Sequence, residues 1–337
     1  MSPPLLSICI PSYNRPKEIG RLLKSIDYFE PDIEVIICED KSPKRQEIAS
    51  VVSQFSQQST VTIHYYENEV NLGYDKNLRE VLSRAVGEYI VFMGDDDIFV
   101  VGALRNYRQF LLGHRELGYV LKTHILVHPN KQEELFKYYS ETTYFPASVN
   151  TYIELFRRSV FISGFIIKRA YCLEYMTEKF DGTLLYQLWW LANITMKYPS
   201  AYCDIPLTLQ YKEGTPFFGT AETERALYTP GTVTIDNSIN FMTGFFKISA
   251  EVDEKYQVSS TPILKKEFSK YAYPILSIQR KKGIKEFLKY HKRLSHLGIN
   301  NSFYYYIYLI ALVFFGESMC DKVIMLIKKI LGKTPKL

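Results

Sequence analysis

The first hundred residues alternate between short apolar runs and segments of helical period, an order that admits few folds. Residues 7–10 and 33–38 are near-continuous apolar runs, the second reading IEVIIC, and residues 61–66 and 89–93 follow in the same manner. Between them, residues 16–26 place apolar side chains at helical spacing with Asn14 as the cap, residues 42–55 open on Ser42 and Pro43 as cap and first-turn proline, and residues 75–85 repeat the pattern. Strands that read as apolar runs rather than alternations are buried on both faces. Four βα-type units of this kind predict an α/β fold with a mostly parallel, Rossmann-like sheet flanked by helices. In such a sheet ligands bind at the carboxyl ends of the strands, where the loops to the helices gather.

The unusual polar residues fall at those ends. The first strand is followed by Pro11, Ser12, Tyr13, Asn14 and Arg15, the second by Glu39, Asp40, Lys41 and Ser42, and the third by Asn71, Leu72, Gly73 and Tyr74. The fourth runs through Gly94 into the consecutive carboxylates Asp95, Asp96 and Asp97. Adjacent acids repel, so a buried strand that ends this way calls for a nearby cation, and hard oxygen ligands on so short a stretch suit Mg²⁺ or Mn²⁺ better than zinc. A solvated acidic turn is the plain alternative. Neither GxGxxG after the first strand nor GxxxxGK[ST] anywhere supplies a backbone cradle for phosphate, which would here need a metal. The histidines lack HExxH spacing, and no GxSxG elbow is present, so zinc and serine-hydrolase chemistry are unsupported. Five scattered cysteines without CxxC spacing read as buried free thiols of a reducing compartment.

Taken in order, CIPSYNR, ICEDKSP, NLGYDKN and MGDDD resemble the family 2 glycosyltransferases of GT-A fold, a likeness that runs from residue 5 to about residue 130. The resemblance implies a nucleoside-diphosphate sugar donor whose base lies at Pro11, Tyr13, Arg15 and Asp40, with Asn71, Gly73 and Lys76 near the ribose and sugar. A tyrosine ring supplies a stacking face, and a carboxylate accepts a base N–H. Helix capping by Asp40 and a core position for Tyr13 are the competing roles. The acid cluster resembles the DxD motif, which implies Asp95 and Asp96 for the nucleotide sugar and Asp96 or Asp97 for an ion that neutralises the leaving diphosphate. Inverting relatives deprotonate the acceptor with an acid, often in a Glu-Asp pair before a tryptophan-containing helix. Here that helix reads Leu184, Leu185, Tyr186, Gln187, Leu188, Trp189, Trp190 without the pair, which leaves Asp181 as the candidate base, with helix capping as its other role. The run FISGFIIKR over residues 161–169, then Asp-Gly-Thr and LWWL, is similar to the abequosyltransferase subgroup, which implies O-antigen or capsule assembly. Trp189 and Trp190 are acceptor candidates whose place in an apolar helix equally suits core packing.

The 27 Tyr and 21 Phe suit both sugar-stacking clefts and membrane interfaces. Residues 265–337 hold 15 Lys and Arg against four acids, although the whole chain carries only +5. That split suits a polyanionic partner. The apolar run of residues 303–315 and the amphipathic pattern of residues 322–333 make the partner a membrane surface rather than nucleic acid. At 13 residues the run is shorter than the roughly 20 needed to span a bilayer. A helical subdomain with a solvated basic face is the alternative. The opening residues lack a basic n-region, so the expected location is cytoplasmic, peripheral on the inner face of the cell membrane. The expected division is a catalytic domain over residues 1–215, donor side to 115 and acceptor side from 116, followed by a helical, basic and aromatic region over residues 216–337. The expected activity is metal-dependent, inverting transfer of a sugar to a hydroxyl of a lipid-linked glycan in bacterial surface polysaccharide synthesis. A nucleotidyltransferase shares the sheet and the acids but uses a Gly-rich basic loop after its first strand. A GT-A module that only binds or scaffolds is compatible with the missing Glu-Asp pair.

Overall fold

The computed structural model describes residues 3–27, 30–211 and 216–331, with side chains to residue 326. It divides into two units, Met1–Thr232 and Val233–Leu337; the boundary expected at residue 215 falls within residues 212–215, outside the described residues. The first unit opens with the expected alternation: β1 (Leu6–Ser12), α1 (Pro16–Lys24), β2 (Ile33–Glu39), α2 (Arg45–Gln58), β3 (Thr62–Glu67), α3 (Tyr74–Arg84) and β4 (Tyr89–Phe92). It continues through β5 (Ile98–Phe99), α4 (Ala103–Gly113), β6 (Tyr119–Val127), β7 (Glu133–Phe136), β8 (Thr143–Phe145) and α5 (Val149–Phe156). It closes with β9 (Phe165–Lys168), α6 (Arg169–Leu173), α7 (Tyr186–Lys197), β10 (Ser200–Tyr211) and the single turn α8 (Glu222–Arg225).

These strands form one ten-stranded sheet in the order β3-β2-β1-β4-β9-β6-β10-β5, with β7 beside β6 and β8 beside β10. β1 lies parallel to both β2 and β4, with Ile8 opposite Val35 and Val91. β1 and β2 are covered on both faces: Ile8, Ile10, Val35 and Ile37 on one and Cys9 and Ile36 on the other are buried, the Ile and Val side chains each contributing about 1.5–3 kcal/mol of hydrophobic stabilisation. β3, at the edge, is only half-buried. β9 enters antiparallel between β4 and β6, so β6 and β10 again run in the direction of β1 to β4 and most strands share one direction. Its three apolar residues and Lys168 carry no mark of direction, so this reversal is invisible in the sequence. α1 seats Ile19, Leu22 and Leu23 on the sheet and starts on Pro16; its N-cap is Arg15, while Asn14 takes a positive φ of 60° in the turn instead of capping. All five cysteines are buried and free.

The second unit is helical: α9 (Ile235–Tyr256), α10 (Thr261–Lys270), α11 (Tyr273–Arg280), α12 (Ile284–His296) and α13 (Phe303–Leu331). Its core gathers Leu276, Phe287, Tyr290, Leu294, Tyr305 and Leu312. α13 breaks at Gly316, whose φ of 72° only glycine adopts readily. Among the described residues no helix is long and apolar enough to cross a membrane. The amphipathic segment expected over residues 322–333 begins inside α13, and its side chains from residue 327 onward lie outside the described residues.

Candidate active site

Parallel pairing of β1 with β4 sets the PSYNR turn beside the triple aspartate. Asp95 is buried and held by the first loop: its Oδ2 accepts from the Tyr13 N–H at 2.9 Å and the Ser12 hydroxyl at 3.2 Å, its Oδ1 from Arg15 Nη1 at 2.9 Å. Burial pushes Asp95 up to about 6 even though Arg15 opposes it. The second guanidinium nitrogen of Arg15 reaches Asp96 Oδ2 at 3.2 Å, and Arg21 donates to the Asp96 carbonyl at 2.6 Å. Asp96 is the most open of the three, with its side chain 28% exposed. Among the described residues no donor meets its Oδ1. Gly94 keeps this turn tight, since a Cβ there would sit 3.1 Å from both Asp96 Oδ1 and Ser163 Oγ.

Asp97 turns the other way. Its Oδ2 accepts from the Ser163 hydroxyl at 2.5 Å and its Oδ1 from the Tyr211 N–H at 3.0 Å, which ties the acid turn to the end of β10. Burial and the neighbouring Asp96 push Asp97 up to about 7, and burial pulls Lys122, bonded to the Phe161 carbonyl at 3.0 Å, down to about 7. Burial thus disfavours the charged form of both groups beneath the site.

On the other side of β1, Asp40 organises the loop into α3. Its Oδ1 accepts from Asn68 Nδ2 and the Leu72 N–H, each at 2.8 Å, and its Oδ2 from the Gly73 N–H at 2.9 Å. One acceptor position on Oδ2 is left over. Burial pushes this carboxyl up to about 6 against the pull of its donors. Gly73 holds φ +80°, and a Cβ there would lie 2.8 Å from Glu224 Oε1 and 2.9 Å from Ala221. Asn71 accepts from the Gly73 N–H at 3.1 Å and donates to Thr220 at 3.2 Å.

The segment after β10 closes over these loops. Buried Glu224 accepts from the Tyr74 N–H at 2.7 Å and the Gly219 N–H at 2.8 Å. Phe217 meets the Tyr13 ring edge-on at 5.8 Å with the Arg15 guanidinium 5.1 Å above its own ring, and Phe218 meets Tyr74 at 5.7 Å. Tyr13, Arg15, Asp40, Asn71, Gly73, Asp95, Asp96 and Asp97 thus gather at one end of the sheet, with Pro11 inside β1 behind them. Lys76 lies on the exposed face of α3, apart from this hydrogen-bonded set.

The acceptor-side candidates are placed differently. Asp181 is held in a two-pronged ion pair with Arg79, one prong at 2.9 Å, both side chains largely buried. The cap of the tryptophan helix is instead Asp75: its carboxylate accepts from the Leu184 N–H at 2.8 Å and the Tyr186 N–H at 2.9 Å, and burial pushes it up to about 7. Trp190 is fully buried, stacked on Phe92 at 5.6 Å, and Trp189 donates its indole N–H to the Tyr175 carbonyl at 2.9 Å, so both serve the core. Gln187 donates to the Val160 carbonyl at 2.9 Å and accepts from the Tyr74 hydroxyl at 3.4 Å. Asp75, Glu224 and Ser163 escaped the sequence reading. Asp75 had one signal, an acid at the start of a helix, while the other two meet partners 150 and 66 residues away.

Residues 7–152 match the family model described as Glycosyl transferase family 2. The chain is 34% identical over 110 residues to an abequosyltransferase of Salmonella typhimurium, covering 32% of each chain. It is 29% identical over 107 residues to a GalNAc(5)-diNAcBac-PP-undecaprenol beta-1,3-glucosyltransferase of Campylobacter jejuni, covering 32% of this chain and 34% of that one. The chain therefore spans about a third of the length of these curated relatives. Among solved structures, S. aureus TarS (residues 1–349) in complex with UDP superposes with a TM-score of 0.55 at 15% identity, over 87% of this chain and 82% of that one. The same protein in complex with UDP-GlcNAc gives 0.53 at 18% identity, over 72% and 66%. That likeness is one of fold, and the fold is of the GT-A type.

Proposed function

Because residues 7–152 match the family model described as Glycosyl transferase family 2 and the chain is similar to an abequosyltransferase, we propose that it transfers a sugar from a nucleoside-diphosphate donor to a hydroxyl of a glycan acceptor. The acceptor is lipid-linked, the setting is bacterial surface polysaccharide synthesis at the inner face of the cell membrane, and the displacement inverts the anomeric centre. The observation that carries this reading is the convergence of the Tyr13 turn, the Asp40-held loop and the triple aspartate at one sheet end. Relatives named for abequosyl and glucosyl transfer, the second onto a polyprenyl-diphosphate glycan by its name, support the substrate classes.

In this reading Asp40 offers the spare acceptor position of Oδ2 to a base N–H, while the Tyr13 ring supplies an apolar wall. Asp95, locked by Ser12, Tyr13 and Arg15, is a rigid acceptor for ribose hydroxyls. Arg15 offsets the charge of Asp95 and Asp96 and lies beside the place where a diphosphate would sit. A divalent ion fits through one carboxylate, since Asp95 and Asp97 each commit both oxygens to protein donors while Asp96 Oδ1 meets no donor among the described residues. Mg²⁺ in particular is commonly held by one or two carboxylates together with substrate phosphates. Bound at Asp96, Mg²⁺ or Mn²⁺ would neutralise the charge that develops on the leaving diphosphate. Asp181 can act as base only when it leaves the Arg79 fork, and within the fork it positions the turn before α7.

Transfer and hydrolysis assays over a panel of nucleotide sugars, with Mn²⁺ and with chelator, test this. Turnover of one donor is expected. The Arg79 fork favours a second reading, a module that binds nucleotide sugar without turnover, and tight donor binding with no product from any donor would establish it in place of the first.

A further inference from the structure

We propose that the second unit binds an anionic membrane surface through one face of α13 together with the exposed face of α12, lying on the bilayer without crossing it. In the first half of α13, Phe303, Ile307, Ile310 and Phe314 recur at helical spacing and are 77, 44, 56 and 78% exposed, while Tyr305 and Leu312 on the opposite side are buried. Residues 301–316 contain no charged side chain. Past the break at Gly316, Met319, Val323 and Leu326 are again exposed apolar residues at helical spacing. A chain free in water rarely leaves so long a contiguous apolar surface uncovered.

Charge decides what covers it. α12 touches the start of α13 through a 2.9 Å contact between His291 Nδ1 and the Tyr305 hydroxyl. It exposes Ile284 and Leu288 among Lys285, Lys289 and Lys292. Apolar side chains flanked by lysines, with Tyr and Phe rings at the boundary, describe helices that lie in the headgroup region of anionic lipid. A second copy of the chain would bring a matching set of lysines against these, which like-charge repulsion opposes. Before its break α13 runs 13 residues, about 20 Å at 1.5 Å per residue, too short for a hydrocarbon core of about 30 Å. This identifies the surface behind the membrane location proposed above. Its test reads vesicle binding alone, so it can fail while the donor site stands, and the reverse.

The full chain is floated with phosphatidylcholine vesicles that contain or lack phosphatidylglycerol. Both native tryptophans, Trp189 and Trp190, are buried, so Phe314→Trp adds an indole whose quenching by brominated lipid reports insertion. Flotation with the anionic vesicles only, and quenching of the new indole, are expected. Joint replacement of Lys285, Lys289 and Lys292 by Ala should weaken binding on the order of 100-fold, about fivefold per lysine, and salt should do likewise. Ile310→Glu with Phe314→Glu should abolish flotation with an unchanged circular dichroism spectrum; if that variant does not fold, the quenching result decides. Equal binding to neutral vesicles, an unquenched indole, or a dimer in water that the glutamates dissolve would each overturn the proposal, the last by assigning the stripe to a second copy.

Discussion

Replacing Asp40 with Asn separates the two jobs of that carboxylate. In the folded chain it accepts from Asn68, Leu72 and Gly73. An amide keeps one oxygen and turns an NH₂ group toward the donors of the other, so at least one buried N–H loses its acceptor, at about 1–3 kcal/mol. Burial already penalises the charge, however, raising this group from 3.8 to about 6, which corresponds to about 3 kcal/mol against the ionised form at neutral pH. The two effects nearly cancel at about pH 7. In acid they do not. Because the folded value is the higher one, the wild type takes up a proton and gains up to about 3 kcal/mol as pH falls from about 6 to about 4, and Asn cannot. Thermal unfolding should therefore show D40N close to wild type near neutrality and progressively behind it toward about pH 4. Calorimetry near neutrality, with the nucleoside diphosphate that most stabilises the wild type, should show binding weakened about 10- to 100-fold, because the acceptor for the base N–H is gone. Undiminished nucleotide affinity, or a stability gap that does not widen in acid, would refute the assignment.

Asp96→Asn should remove the Mn²⁺-dependent part of nucleotide binding while shifting Tm little, since this side chain is partly exposed and among the described residues accepts from Arg15 alone; a variant that still binds more tightly with Mn²⁺, as the wild type does, would contradict it. Asp181→Asn leaves Arg79 buried against a neutral partner and should cost about 3–5 kcal/mol in denaturant unfolding; a loss of kcat with full stability would instead make Asp181 the working base. Gly73→Ala forces a Cβ against Glu224 and Ala221 at a φ of +80°, so it should destabilise by about 1–3 kcal/mol and raise the donor KM; an unchanged KM would detach this loop from the donor site.

β1, β2 and β4 were legible because a strand buried on both faces leaves a near-continuous apolar run, as in β2, where every residue is buried. The donor loops were legible because they follow such strands directly. β9 was not: three apolar residues and a lysine fix neither direction nor place in the sheet. Asp40 and Asp95 read as ligand-binding acids, and the structure adds that each first satisfies its own loops, a role that depends on donors 28 to 33 and 80 to 83 residues away. Trp189 and Trp190 show the limit of reading residue type, since aromatic rings inside an apolar helix serve a core as readily as a sugar. Glu224 lies 150 residues from Tyr74, and no local pattern ties a lone glutamate after β10 to the turn it holds.

The most direct test is a crystal structure with the preferred nucleoside diphosphate and Mn²⁺. The account predicts the base between Tyr13 and Asp40, and the ion on Asp96 against the phosphates. A nucleotide bound elsewhere, or an ion held away from Asp96, would contradict it.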